Sequence, residues 1–259
     1  MKCREIVEIL EELAPKSMAL DWDNPGLLAG RMEKEVNSVY LAVDATDEVI
    51  EDAINKNADM LITHHPLIFG KIRSVSSESF IGNRLINLIS NDISYYAMHT
   101  NFDVCGMADY SAKILGIKNV SVFEVTGETD GLEEGIGRIG LLSEEMSLLE
   151  LANLVKNKFQ IEHVKVFGNL DSKMKRVAIS PGSGKSMIDL AVRKKVDCLI
   201  TGDIDHHAGI DAVAQNVPII DAGHYGIEKI FIPYMEEYIN AKTDLKVFCE
   251  VFKNPFTII

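Results

Sequence analysis

Two stretches of the chain repeat one pattern of apolar and polar positions. Residues 39–43 and 177–179 are aliphatic runs without a polar interruption, the pattern of strands buried on both faces. Each run gives way to a polar loop, containing Asp44 and Thr46 in one case and Gly182, Ser183 and Gly184 in the other. Apolar positions then return at helical spacing, as at Val49, Ile50, Ala53 and Ile54. Second, largely apolar runs follow at 60–63 and 198–201, and third strand-like segments at 93–98 and 217–222. Strand, helix, strand in this order predicts parallel strands whose carboxyl ends meet along one edge, where α/β proteins bind ligands. Asp44, His64, His65 and Asp203 all belong to that edge.

The rest of the chain frames these two units. Residues 1–14 place aliphatics at helical intervals among Lys, Arg and Glu, and a helix is predicted from a Ser147 cap to Phe159. Residues 124–142, with Gly127, Gly131, Gly135, Gly137 and Gly140, read as a glycine-rich crossover and domain boundary. Beyond Glu228 the pattern predicts a helix through Tyr238, a turn at 242–244 and a strand at 245–251 that returns to the first half's sheet. The expected fold is therefore α/β with two interleaved, similar domains: 1–125 plus 235–259, and 126–234.

Sliding the chain against itself by 138 residues lays 39–63 over 177–201 without a gap, both ending in Asp-x-Leu-Ile-Thr. This predicts an internal duplication. Aligning His99 with His224 extends it, giving His99-x-x-x-Asp103 in one half and His224-x-x-x-Glu228 in the other. Trp22, the only tryptophan, lies in an Asp-Asn-Pro-Gly turn and is expected to be buried.

The chemistry that this pattern suggests is metal binding. Adjacent histidines at a strand end point in different directions, so His64 and His65 can each give one imidazole nitrogen to neighbouring ions. Asp103 and Glu228 add carboxylates, which can bridge two cations as imidazole cannot. A mixed nitrogen and oxygen set without thiolate suits zinc, iron, manganese or cobalt. His99 is open to three roles: completing the coordination, orienting Asp103, or moving protons. His206 and His207 are candidates for acid/base or substrate contact, or for a structural role. Asp44 and Asp203 are candidates to orient water or substrate. The segment from Pro181 to Ser186 lacks the leading glycine of a P-loop and reads as a tight turn.

Composition narrows the partners. A net charge of −13 opposes general nucleic-acid binding. No run approaches the roughly 20 apolar residues of a membrane span, and the N-terminus lacks a secretory pattern, so a cytoplasmic location is expected. The four cysteines, Cys3, Cys105, Cys198 and Cys249, form no C-x-x-C pair and read as ordinary thiols.

Five separated motifs, in order along nearly the whole chain, resemble the Nif-three-like family, the type 2 homologues of GTP cyclohydrolase I. They are Trp22-Asp23-Asn24-Pro25-Gly26-Leu27, Thr63-His64-His65-Pro66-Leu67, His99-Thr100-Asn101-Phe102-Asp103, Thr201-Gly202-Asp203 with His206-His207, and Asp221-Ala222-Gly223-His224-Tyr225 through Glu228. The resemblance implies a two-metal site in the cleft between two similar domains, with His64, His65, Asp103, His224 and Glu228 as ligands. It also implies a toroidal homohexamer. Some members carry a domain inserted between the halves, for which residues 124–147 leave no room. The expected function is metal-dependent hydrolysis of a cyclic C–N bond, with a purine nucleotide as candidate substrate and His99 or His207 moving protons. A metal chaperone or store, and a ring-shaped interaction scaffold, are the alternatives.

Overall fold

A computed structural model describes residues 1–259, which form two compact units, each with its own sheet. The first unit comprises Met1–Phe102 and Phe231–Lys253, and the second Asp103–Ile230 with Asn254–Ile259. No helix is long and apolar enough to cross a membrane.

The first unit opens with α1 (Cys3–Leu13), whose Cys3, Ile6, Val7 and Leu10 form one buried stripe. There follow β1 (Gly26–Ala29), β2 (Ser38–Ala42), α2 (Asp47–Asn55), β3 (Met60–Thr63), α3 (Phe80–Ser90), β4 (Ser94–Ala97) and the short turn α4 (Thr100–Phe102). Thr46 caps α2 and Ser79 caps α3 through their side chains, so both crossover helices start where the apolar pattern changes period.

The second unit begins with a π-helical turn, Asp103–Met107, and continues through α5 (Ala108–Leu115), β5 (Lys118–Thr129), β6 (Leu132–Ser147), α6 (Leu148–Phe159), β7 (Lys165–Phe167), β8 (Lys173–Ser183) and α7 (Ile188–Arg193). It ends with β9 (Cys198–Gly202), α8 (His206–Ala214), β10 (Ile219–Asp221) and α9 (His224–Glu228). The chain then returns to the first unit through α10 (Phe231–Lys242) and β11 (Lys246–Cys249).

The first sheet has the order β1-β4-β3-β2-β11, with only β1 antiparallel to its neighbour. β11 pairs with β2, as the returning C-terminal strand predicts. Every residue of β2, β3 and β4 is buried, matching a sequence that is apolar apart from Ser38, Thr63 and Ser94 at the strand ends. The second sheet has the order β5-β6-β8-β9-β10-β7, parallel across β8, β9 and β10 and antiparallel at both ends. The predicted helix after Ser147 is α6, closed by a capping box between Ser147 and Glu150.

Three expectations meet a different structure. The glycine-rich segment 124–142 is no crossover loop, because most of it lies in the long β5–β6 hairpin. Its turn is Asp130-Gly131, both with positive φ (52° and 81°), the two-residue geometry that suits the twist of paired strands. A division after residue 125 would cut through β5, which stays with the second sheet because β6 pairs with it over most of its length. Trp22 is 58% exposed, because its flanking residues Asp23 and Asn24, not the indole, anchor the loop.

Candidate metal centre

In the first unit, His64 and His65 leave the carboxyl end of β3, where Thr63 ends the strand and donates its hydroxyl to the His65 carbonyl at 2.7 Å. His64 is fully buried, its ring 5.5 Å from that of Phe231. His99 follows β4, and donor atoms of His64, His65 and His99 all lie within 4.8 Å of one another.

These three rings share one mode of support. Nδ1 of His64 lies 2.8 Å from the Met98 carbonyl, that of His65 2.8 Å from Asp44 Oδ1, and that of His99 2.8 Å from Asp23 Oδ1. A carbonyl or ionised carboxylate oxygen only accepts, so each contact places the proton on Nδ1. In the neutral ring the Nε2 lone pair then faces outward. Asp23 is itself held by the Thr100 backbone N–H at 2.9 Å and the Thr100 hydroxyl at 2.5 Å. Burial opposes its ionisation, but the hydrogen bonds from His99 and Thr100 outweigh burial and bring the carboxyl down to about 2.

The second unit builds its set differently. Asp221, buried at the end of β10, accepts the Gly223 and Ile204 backbone N–H groups at 3.0 Å each and pairs with Lys165. This fixes the turn at Gly223 (φ 76°), from which α9 starts at His224. One helical turn separates His224 from Glu228, so both side chains share a face, with His224 Nε2 2.9 Å from Glu228 Oε2. His224 Nδ1 meets Asp203 Oδ2 at 2.7 Å. Donor oxygens of Asp103, which opens the π-helical turn, and of Glu228 lie within 4.8 Å of each other.

Gly182 clears the space that Glu228 fills. At φ 75°, an added Cβ there would stand 2.5 Å from Glu228 Oε1 and 3.8 Å from His224 Nε2. The turn read from sequence as a tight connection is thus one wall of the carboxylate's cradle. The pattern of glycines signals the turn, but not which side chain presses on it.

The candidates from sequence therefore fall into two sets and a remainder. His64, His65 and His99 lie together in one unit; in the other, Glu228 stands within reach of His224 and, separately, of Asp103. Asp44 and Asp203, candidates for water or substrate, each stand on the Nδ1 of a histidine. His206 and His207 are exposed at the start of α8, their rings 5.3 Å apart, in neither set. The pairing of His99 with His224 is displaced by one residue: Thr63 lies opposite Ala97, and Thr201 opposite Asp221. Counting from those pairs, Gly223 corresponds to His99 and His224 to Thr100. Matching histidine to histidine followed side-chain identity, whereas the strand register follows the backbone.

The residues fit divalent transition ions: imidazoles fixed at Nδ1, which leaves Nε2 to bind, together with carboxylates form the donor set and the outer support that such ions use. An α/β protein with metal-type donor clusters at its strand ends is the class that the fold and the side chains define. Within that class, the model of the Duf34/NIF3 (NGG1p interacting factor 3) family matches residues 1–255, and the chain belongs to that family. A Clostridium acetobutylicum protein named GTP cyclohydrolase 1 type 2 homolog is 38% identical over 230 residues, covering 88% of this chain and 85% of its own. A Clostridium perfringens protein of the same name is 34% identical over the full length of both. The crystal structure of a Bacillus cereus protein related to NIF3 superposes with a TM-score of 0.90 at 25% identity, covering 100% of this chain and 99% of that one.

Proposed function

We propose that this protein is a cytoplasmic, dinuclear metal-dependent hydrolase that opens a cyclic C–N bond, with a purine nucleotide as candidate substrate. His64, His65, Asp103, His224 and Glu228 hold two divalent transition-metal ions, zinc, iron, manganese or cobalt, in a cleft to which both units contribute. The units descend from an internal duplication, and the working form is a toroidal homohexamer. The observation that carries the reading is the shared support of four histidines, each with an oxygen within 2.8 Å of Nδ1, which leaves Nε2 as the nitrogen that could bind an ion.

Bound ions would supply Lewis acidity that activates water and polarises the carbon under attack. The chain's own residues do the rest. Asp44 and Asp203 orient His65 and His224, and Gly182 leaves room for the Glu228 carboxylate. His99, held by Asp23, is placed to accept a proton at Nε2 and pass it on. His207, outside both sets, is a contact for the polar end of a substrate.

Elemental analysis of gently purified protein should approach two ions per chain, and the loaded protein should turn over GTP or a related ring. One ion at most after reconstitution would overturn the dinuclear assignment. A second reading, a metal chaperone or store, is favoured by His224, one third of whose side chain is open to solvent. It prevails if loaded protein turns over no ring substrate yet restores metal to a stripped acceptor enzyme.

A further inference from the structure

Across His99 from His64 and His65 stands an aromatic pair that the hydrolytic reading does not use. Trp22 and Phe69 stack with ring centroids 5.9 Å apart and planes 21° from parallel, while the His99 ring meets both edge-on, at 5.8 and 5.5 Å and 73°. The same His99 ring lies 5.4 Å from His64 and 5.5 Å from His65. His99 is thus a wall shared by the donor cluster and the aromatic pair.

Both aromatic rings are held in place while half exposed, Trp22 at 58% and Phe69 at 51%. Asn24 Nδ2 donates to the Ile68 carbonyl at 2.7 Å, tying the loop of Trp22 to that of Phe69. Asp23 anchors the first loop on Thr100, and the Leu67 N–H donates to the Tyr95 hydroxyl at 2.8 Å, anchoring the second. Large apolar rings left in water forgo burial, and fixed loops keep these two from turning inward. A flat π-system that lies parallel to these two half-exposed rings extends their stack, and the perpendicular imidazole wall meets its edge.

We propose that Trp22 and Phe69 form a stacking platform for a planar heteroaromatic ring, placing its edge beside His99 and the His64–His65 pair. The proposal rests on the hydrolase reading for the fate of that ring, but not for its binding. Aliphatic or sugar-only ligands lack the flat face and gain nothing from the platform.

Trp22 is the sole tryptophan, so its emission reports the platform directly. Metal-loaded protein is titrated with guanosine, adenosine and cytidine, and with ribose as the control. Saturable quenching by at least one nucleoside and none by ribose is expected. Phe69→Ala should weaken that binding roughly three- to ten-fold, and Phe69→Leu, which keeps apolar bulk without a flat face, by a similar factor. Circular dichroism confirms that both variants fold. Quenching by no nucleoside, unchanged affinity in both variants, or Trp22 emission already shielded from acrylamide because a second copy covers it would each overturn the proposal. Quenching without turnover would remove the hydrolase reading and leave the platform; turnover unaffected by Phe69→Ala would do the reverse.

Discussion

In the first unit Val39 lies opposite Met60 and Leu41 opposite Ile62; in the second, Val177 lies opposite Cys198 and Ile179 opposite Ile200. These are the same pairs moved 138 residues along the chain, yet the strand ends carry different chemistry. Asp44 follows β2, whereas Gly182 occupies that place in β8. His64 and His65 follow β3, whereas Gly202 and Asp203 stand at the end of β9. In the first unit a carboxylate after the first strand supports an imidazole after the second. In the second unit the carboxylate has taken the imidazole's place, and the imidazole it supports, His224, begins a helix after the third strand. The contact itself is almost unchanged, 2.8 Å in one and 2.7 Å in the other. A shared backbone therefore delivers one functional contact from different positions, which an alignment of residue types cannot foresee.

The most damaging way to break the comparison is to remove the second unit's buried carboxylate. Glu228→Gln keeps the side chain's size and loses the charge, so it cannot serve as an anionic bridge between two cations. We expect metal content to fall from two equivalents to one or fewer, and turnover to drop by more than the roughly 100-fold typical of an outer support. His64→Ala, on the opposite unit, should do the same. Two equivalents retained in either variant, measured by elemental analysis after dialysis, would mean that the units do not share a centre.

Next in size is the exchange of glycine and aspartate at the first strand's end. Gly182→Ala forces a Cβ to within 2.5 Å of Glu228 Oε1 at a φ of 75°, so both strain and displacement follow. The backbone strain alone costs about 1–3 kcal/mol. Urea unfolding should show that loss, and metal titration a weakened site. The reciprocal Asp44→Gly adds no clash and should spare the fold by comparison. Equal destabilisation in the two variants would remove the argument that Gly182 is shaped by Glu228.

The sequence made the repeated strands and helices legible because buried parallel strands must be apolar throughout and their crossover helices amphipathic. It made His64, His65, Asp103, His224 and Glu228 candidates because histidines follow the apolar runs and carboxylates recur four residues beyond two of them. It did not expose the β5–β6 hairpin, where five glycines outweighed the alternation in residues 118–142, although Asp130-Gly131 was a usable turn signal. Nor could it show that Asp44, Asp23 and Asp203 stand on Nδ1 atoms. Those pairings span 21, 76 and 21 residues and depend on folded geometry, not on local pattern.

A gentler test removes the two supports in parallel. Asp44→Ala and Asp203→Ala each leave a histidine free to rotate and to move its proton to Nε2, the atom needed for the ion. Isothermal titration with zinc should show affinity reduced roughly 10- to 100-fold in each. Similar losses would confirm that the two carboxylates do one job from different places. A loss in only one would confine the support role to that unit.

The smallest effect concerns Asp23, a support that the second unit lacks, since Gly223 stands where His99 does in the first. The Asp23 side chain is fully buried, and its carboxyl lies at about 2, below its ordinary 3.8. Because the folded value is the lower one, ionised Asp23 stabilises the fold above the unfolded value, and that contribution disappears as pH falls from about 4 to about 2. The shift corresponds to about 2 kcal/mol at neutral pH. Asp23→Asn cannot ionise, so the stability gap between wild type and variant should be wide at pH 7 and narrow by that amount towards pH 2. Chemical denaturation of chelator-treated protein across this range reads the gap without interference from metal near His99. A gap independent of pH would mean that Asp23 contributes as a hydrogen-bond acceptor alone and that its charge does not hold His99 in place.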